Sequence, residues 1–186
     1  MPNSSILRVQ NHINSLFNSV SYRLGETIVD PGDKWMFEGV QVALLTHAHF
    51  DHIYGLNELL EDSPATKVFT NEHGRVMLMN ARKNMSFYNG SPFVFEHPEN
   101  IVVVSNGEEV VLGNGVVARA FFTPGHNPSC ITWMVGDAVF SGDALIPGIK
   151  TVTNLPGGDM EAARQSEKVI WNLAEGKSIF PGHPVS

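Results

Sequence analysis

Residues 46–52 read Thr46-His47-Ala48-His49-Phe50-Asp51-His52, directly after the apolar run 40–45. That run is broken only by Gln41 and predicts a buried central strand. If the chain stays extended past its end, side chains two apart face the same way, so His47, His49 and Asp51 converge. His52, one step on, points elsewhere and is free to serve a second centre. The order HxHxDH arises by chance in roughly one chain per thousand of this composition. A bare HxH pair would carry far less.

Three later stretches share a layout. Phe121-Phe122 runs into Thr123-Pro124-Gly125-His126, Val139-Phe140 into Ser141-Gly142-Asp143, and Ile179-Phe180 into Pro181-Gly182-His183. Each is an apolar strand end, a turn with glycine, and one residue of metal-ligand type. Glycine lets the backbone turn and come close to a centre. The set holds five His and two Asp. One zinc takes three or four protein ligands, so seven suit two ions that share a carboxylate, and Asp143 is the natural bridge. Water held between two cations loses a proton near neutral pH, so the set points to hydrolysis. A closed structural zinc site would draw on cysteines, and Cys130 is the only one.

Outward from these motifs, the pattern predicts a hairpin of 21–24 and 27–29 about Gly25-Glu26. Strands are expected at 67–69, 101–104, 109–112, 116–122, 131–135, 138–140 and 178–180. Asn106-Gly107, Asn114-Gly115 and Gly136-Asp137 read as turns that join several of them. Helices are expected at 53–61, 72–82 and 159–175, the last with an apolar stripe and Gly176 as its C-terminal cap. Many short strands with few helices predict sheet on sheet with helices outside. His12, His73 and His97 read as surface or satisfied polar residues, Cys130 as a small buried hydrophobe, and Trp35-Met36-Phe37 as core.

The chain has 186 residues and a net charge of −7. That length fits one domain, 1–186, with a sizeable core. The acidic balance argues against nucleic acid as partner. Residues 1–16 lack a charged-then-apolar leader, and no apolar run reaches the length of a membrane span. A cytoplasmic protein with a small-molecule substrate and no membrane partner is expected. The oligomeric state stays open.

With these residues in hand, the sequence resembles the metallo-β-lactamase-fold hydrolases, and among them the small glyoxalase II-like (hydroxyacylglutathione hydrolase-like) proteins. The resemblance runs from about Ser21 to His183 and includes Ile28-Val29-Asp30-Pro31-Gly32, Asn84-Met85-Ser86 and Leu155-Pro156-Gly157-Gly158-Asp159. It implies an α+β fold, an αββα sandwich of two mixed sheets with outer helices and metals at one sheet edge. It implies one ion on His47, His49, His126 and Asp143, and a second on Asp51, His52, His183 and the shared Asp143. Asp30 would orient a ligand by hydrogen bonding. Full glyoxalase II carries a helical C-terminal domain, which is not expected here.

The expected function is therefore dinuclear, metal-dependent hydrolysis of a small ester or thioester, with Asp51 orienting the nucleophile. Zinc is the expected metal, with iron and manganese as alternatives. Lys150, in the loop after Asp143, is a candidate anchor for a substrate carboxylate. Asn154 and Tyr88 are further candidates for that pocket. The rival readings are a persulfide dioxygenase with one iron, a lactonase, and a non-catalytic metal-binding module.

Overall fold

The computed structural model describes residues 8–185. The start of the amino-terminal segment discussed above, residues 1–7, and residue 186 lie outside the described residues. Six strands form one mixed sheet in sequence order: β1 (Gln10–Ile13), β2 (Val20–Leu24), β3 (Thr27–Val29), β4 (Val42–Leu44), β5 (Lys67–Thr70) and β6 (Ile101–Val103). The first two pairings are antiparallel and the last three parallel. Five strands form the second sheet: β7 (Glu109–Val111), β8 (Val117–Phe122), β9 (Ile131–Val135), β10 (Ala138–Gly142) and β11 (Ser178–Pro181). It runs β11-β10-β9-β8-β7, and only β10 and β11 are parallel.

Period-2 alternation sorts the side chains into layers. Val29, Val42 and Leu44 face inward onto Ala120, Ile131, Trp133 and Phe140 of the second sheet. Their neighbours Ile28 and Ala43 face outward, onto α1 (Leu56–Asp62) and α2 (Glu72–Leu78) through Leu56, Leu59, Leu60, Met77 and Leu78. On the far side, Val139 meets Ile170 of α3 (Met160–Leu173). The order is helix, sheet, sheet, helix: the αββα sandwich. Trp133 is fully buried, and its indole N–H donates to the Leu45 carbonyl at 2.8 Å, stitching the sheets together just before His47.

Several local expectations change. Asn106-Gly107 is no hairpin, because β6 and β7 belong to different sheets and the turn carries the chain between them. The β7–β8 link runs through a 3-10 turn, Gly113–Gly115, longer than a two-residue loop. The helix expected at 53–61 is a 3-10 turn, Phe50–His52, and then α1 from Leu56. Gly55 lies too close to Phe37 and Gly32 for any side chain. The helix at 72–82 stops at Leu78, and Asn80 Oδ1 takes the N–H groups of Arg82 and Lys83 in place of the helical pattern. Strand β1 was not expected, since Gln10, Asn11 and His12 give it little apolar character and β2 supplies its order. Gly176 lies two residues past the C-cap Ala174. Phe37 is core as expected, whereas Met36 is exposed and Trp35 stacks on His12.

Candidate metal centre

Parallel pairing brings strand ends to one edge. Val29 of β3 is level with Leu44 of β4, so Asp30 emerges beside the segment that carries His47 to His52. Gly142 of β10 is level with Pro181 of β11, so Asp143 emerges beside Gly182 and His183. His126 follows the end of β8. The two sheets join at this edge: Val20 N–H donates to the Gly182 carbonyl at 2.8 Å and Tyr22 O–H to the Pro181 carbonyl at 2.6 Å. The motif glycines are needed here. A Cβ on Gly182 would collide with the Asp143 carboxylate and press on His52. Gly142 has φ +53° and no room beside Thr46.

The donors fall into two groups. His47, His49 and His126 offer atoms within 4.8 Å of one another, and so do Asp51, His52 and His183. Asp143 lies between the groups, 3.6 Å from His126 Nε2, 3.5 Å from His52 Nε2 and 3.4 Å from His183 Nε2. Asp51 Oδ2 is 3.4 Å from both His52 Nε2 and His183 Nε2. This corrects the alternation reading, which grouped Asp51 with His47 and His49. The chain leaves extended geometry at Phe50 and enters the 3-10 turn, which swings Asp51 to the other side. Asp30, His47 and His52 form a third close group, but the Asp30 carboxylate is already bonded to Thr46 N–H at 2.7 Å and Thr46 Oγ–H at 2.5 Å.

His47 Nε2, His52 Nε2 and Asp143 Oδ1 are buried and have no hydrogen-bond partner. Buried polar atoms are nearly always paired. Three orphans in one cluster of imidazoles and carboxylates match what a divalent cation binds. The remaining orphan among the described residues, Thr70 Oγ1, lies against Gly74.

A family model for the metallo-beta-lactamase superfamily matches residues 28–183. The chain belongs to that superfamily. It is 36% identical over 147 residues to the probable metallo-hydrolase YqgX of Bacillus subtilis, covering 75% of this chain and 66% of that protein. It is 28% identical over 132 residues to hydroxyacylglutathione hydrolase of Idiomarina loihiensis, covering 65% of this chain and 42% of that protein. The chain thus spans two thirds or less of the length of these curated relatives. Among solved structures, the BLEG-1 B3 metallo-beta-lactamase superposes with a TM-score of 0.83 at 24% identity, covering 96% of this chain and 92% of that one. TTHA1623 in a di-iron-bound form superposes with a TM-score of 0.78 at 24% identity, covering 95% and 92%. At that identity the likeness is one of fold.

Oxygen atoms elsewhere in the chain aim the rings. His52 Nδ1 is 3.1 Å from Asp30 Oδ2, His126 Nδ1 2.8 Å from the Val152 carbonyl and His183 Nδ1 3.1 Å from the Phe17 carbonyl. Phe17 and Asn18 have φ of 54° and 55°, an uncommon backbone state that presents this carbonyl. Burial, reinforced by neighbouring imidazoles, pushes His47 well below its usual range and His49 down to about 4. Burial opposes charge on His52 and His183 as well, but the Asp51 and Asp143 carboxylates outweigh it and raise them to about 9 and about 10. Burial likewise pushes Asp51 and Asp143 up, and His52 and His183 overcome it and hold both low. His47 and His49 are therefore held neutral, whereas His52 and His183 form a charge-paired set with the two carboxylates.

Lys150 is exposed and lines a crevice of about 30 Å³ with His126, Asp143, Ile146, Ile149, Thr151 and Val152. Tyr88 is 62% exposed on the 3-10 turn Ser86–Asn89 and Asn154 is exposed ahead of α3. Among the described residues no hydrogen bond or ring contact ties either to the donor cluster. A larger hollow, about 510 Å³, lies on α3 between Glu161, Arg164, Glu167, Lys168 and Trp171 and includes none of the donors. Among the described residues no helix is long and apolar enough to cross a membrane. Sequence reasoning missed Asn127, Ser129 and the Phe17 and Val152 carbonyls. Asn127 follows His126 directly, so a polar amide beside a candidate ligand was the available signal. The carbonyls leave no trace in residue type.

Proposed function

We propose that this protein hydrolyses a small ester or thioester with two divalent metal ions, zinc first and iron as the alternative. The observation that carries this is the pair of donor groups meeting at Asp143, with orphaned atoms on both sides. In this reading His47, His49, His126 and Asp143 hold one ion, and Asp51, His52, His183 and Asp143 hold the other. When bound, such a pair supplies an acidified water and positive charge against the developing oxyanion. Asp51, a ligand in this reading, would also orient the attacking water by accepting a hydrogen bond from it. Asp30 and Thr46 keep His52 in place. The ester or thioester class is supported by the hydroxyacylglutathione hydrolase among the relatives.

The Lys150 ammonium, beside the crevice next to His126 and Asp143, is proposed to hold a substrate carboxylate. Lys150→Ala is expected to raise KM about tenfold for an anionic substrate, leave kcat and neutral substrates nearly unchanged, and lose this effect as salt is added. Equal losses on both substrates would remove Lys150 from the pocket.

The deciding experiment combines metal analysis with turnover of a panel of thioesters, esters and lactones. Two ions per chain and thioester or ester turnover are expected. Inertness of the loaded protein to the whole panel would sink the proposal, as would about one iron per chain with oxygen uptake.

A further inference from the structure

Five imidazoles crowd the centre, and four are backed by oxygen. Thr46 Oγ1 is 3.3 Å from His47 Nδ1, and Asp30 and the Val152 and Phe17 carbonyls stand behind His52, His126 and His183. A ring N–H pointed at an oxygen leaves the lone pair on the other nitrogen, which is what a cation needs. His49 is mounted the other way round. Its Nδ1 faces His126 Nε2 at 3.0 Å, and its Nε2 meets the Asn127 amide nitrogen at 2.9 Å.

The Asn127 amide is held in that orientation. Its Oδ1 accepts Ser129 N–H at 2.8 Å and Ser129 Oγ–H at 2.7 Å. Ser129 Oγ in turn accepts Ala48 N–H at 3.0 Å, between His47 and His49. Asn127 is 2% exposed and Ser129 fully buried, so water does not replace these bonds. An amide N–H aimed at His49 Nε2 makes that nitrogen an acceptor and puts the ring proton on Nδ1. Ligation through Nδ1 needs the opposite tautomer. The Nε2 proton would then face a donor unless the amide turned over and gave up its bonds from Ser129.

We infer that Asn127 is a positioning residue that sets the cation affinity of the His47–His49–His126 group, by holding His49 in the tautomer that must be reversed for ligation. The inference rests on the two-ion reading and adds to it that this group is held below the affinity its three imidazoles could reach. A carboxylate at 127 would accept from Ser129 and from His49 Nε2–H together, with no turnover needed.

The test compares wild type with Asn127→Asp. Zinc affinity is read by chelator competition, and the His49 tautomer by ¹⁵N NMR with and without zinc. Wild type is expected to carry its His49 proton on Nδ1 without metal and on Nε2 with zinc. Asn127→Asp is expected to carry it on Nε2 in both states and to bind the first zinc about tenfold tighter. Circular dichroism and melting of the metal-free variant check that it folds. If the zinc-free wild type shows the proton on Nε2, the inference is wrong. It is equally wrong if a folded Asn127→Asp binds zinc no tighter. A wild type that binds no zinc overturns the two-ion reading instead, and the metal-free tautomer still decides the role of Asn127.

Discussion

Gly182 has no side chain because the Asp143 carboxylate and the His52 ring occupy the space one would need. Gly182→Ala must therefore displace Asp143, the residue shared by both donor groups. On the proposed two-ion reading, metal content is expected to fall from two ions toward one, with activity reduced at least tenfold, while far-UV circular dichroism stays that of the wild type. Metal analysis of the purified variant checks this. Asp30 presents the converse case, an uncommon backbone state kept for its side chain. Its φ is +51°, and its carboxylate gathers Thr46 N–H, Thr46 Oγ–H and His52 Nδ1. Asp30 was legible only through the family resemblance, which includes Ile28-Val29-Asp30-Pro31-Gly32; by residue type alone it read as a turn. Asn127 was not, since an asparagine before proline reads first as a turn residue.

Helix α3 shows how an element is written locally and placed remotely. Asp159 caps it, accepting the N–H groups of Glu161 and Ala162 at 2.9 and 3.0 Å. Ala163 packs against Gly125, whose φ of +136° and missing side chain let the His126 loop approach the helix. Asp159→Ala is expected to cost about 1 kcal/mol, a fall of roughly 2–4 °C in Tm by calorimetry. The apolar stripe was legible because it follows the 3.6-residue period, whereas Asp159 read as the first helical residue and is the cap that precedes it. The other helices were less so. Their ends are set by Gly55 against Gly32 and by Asn80 folding back on the chain, which are contacts rather than periodicities.

Across the molecule, Asp33 ties three segments together. Its carboxylate accepts from Ser15 N–H and Oγ–H at 2.7 Å and from Tyr54 O–H at 2.5 Å, with His12 Nε2 at 3.3 Å. Partial burial pushes its pKa up, but these bonds win and bring it from 3.8 to about 2. A folded value below the unfolded one means the stabilisation is complete above about pH 4 and is lost as pH falls toward 2. Asp33→Asn is expected to lose about 1–2 kcal/mol at pH 7, less than the full shift implies because the side chain is 27% exposed. In urea denaturation at a series of pH values, the gap should narrow below pH 4 and close near pH 2. A constant gap would mean the loss is packing, not charge.

The donors and their order along the chain could be read from residue type and spacing alone, because HxHxDH and the three strand–glycine–ligand turns are local patterns. The continuous apolar run 40–45 likewise announced a buried central strand, and β4 is buried on both faces. Which donor joins which group could not be read from spacing, and was implied only by the family resemblance. Asp51 leaves His47 and His49 only because Phe50–His52 tightens into a 3-10 turn. The division into sheets was equally hidden, since the turn at Asn106-Gly107 looks the same within one sheet or between two. Closure of the site depends on bonds such as Tyr22 to Pro181, between residues 159 apart. Local pattern specifies which side chains a segment offers and on which face. Only the packing of distant segments decides what those side chains meet.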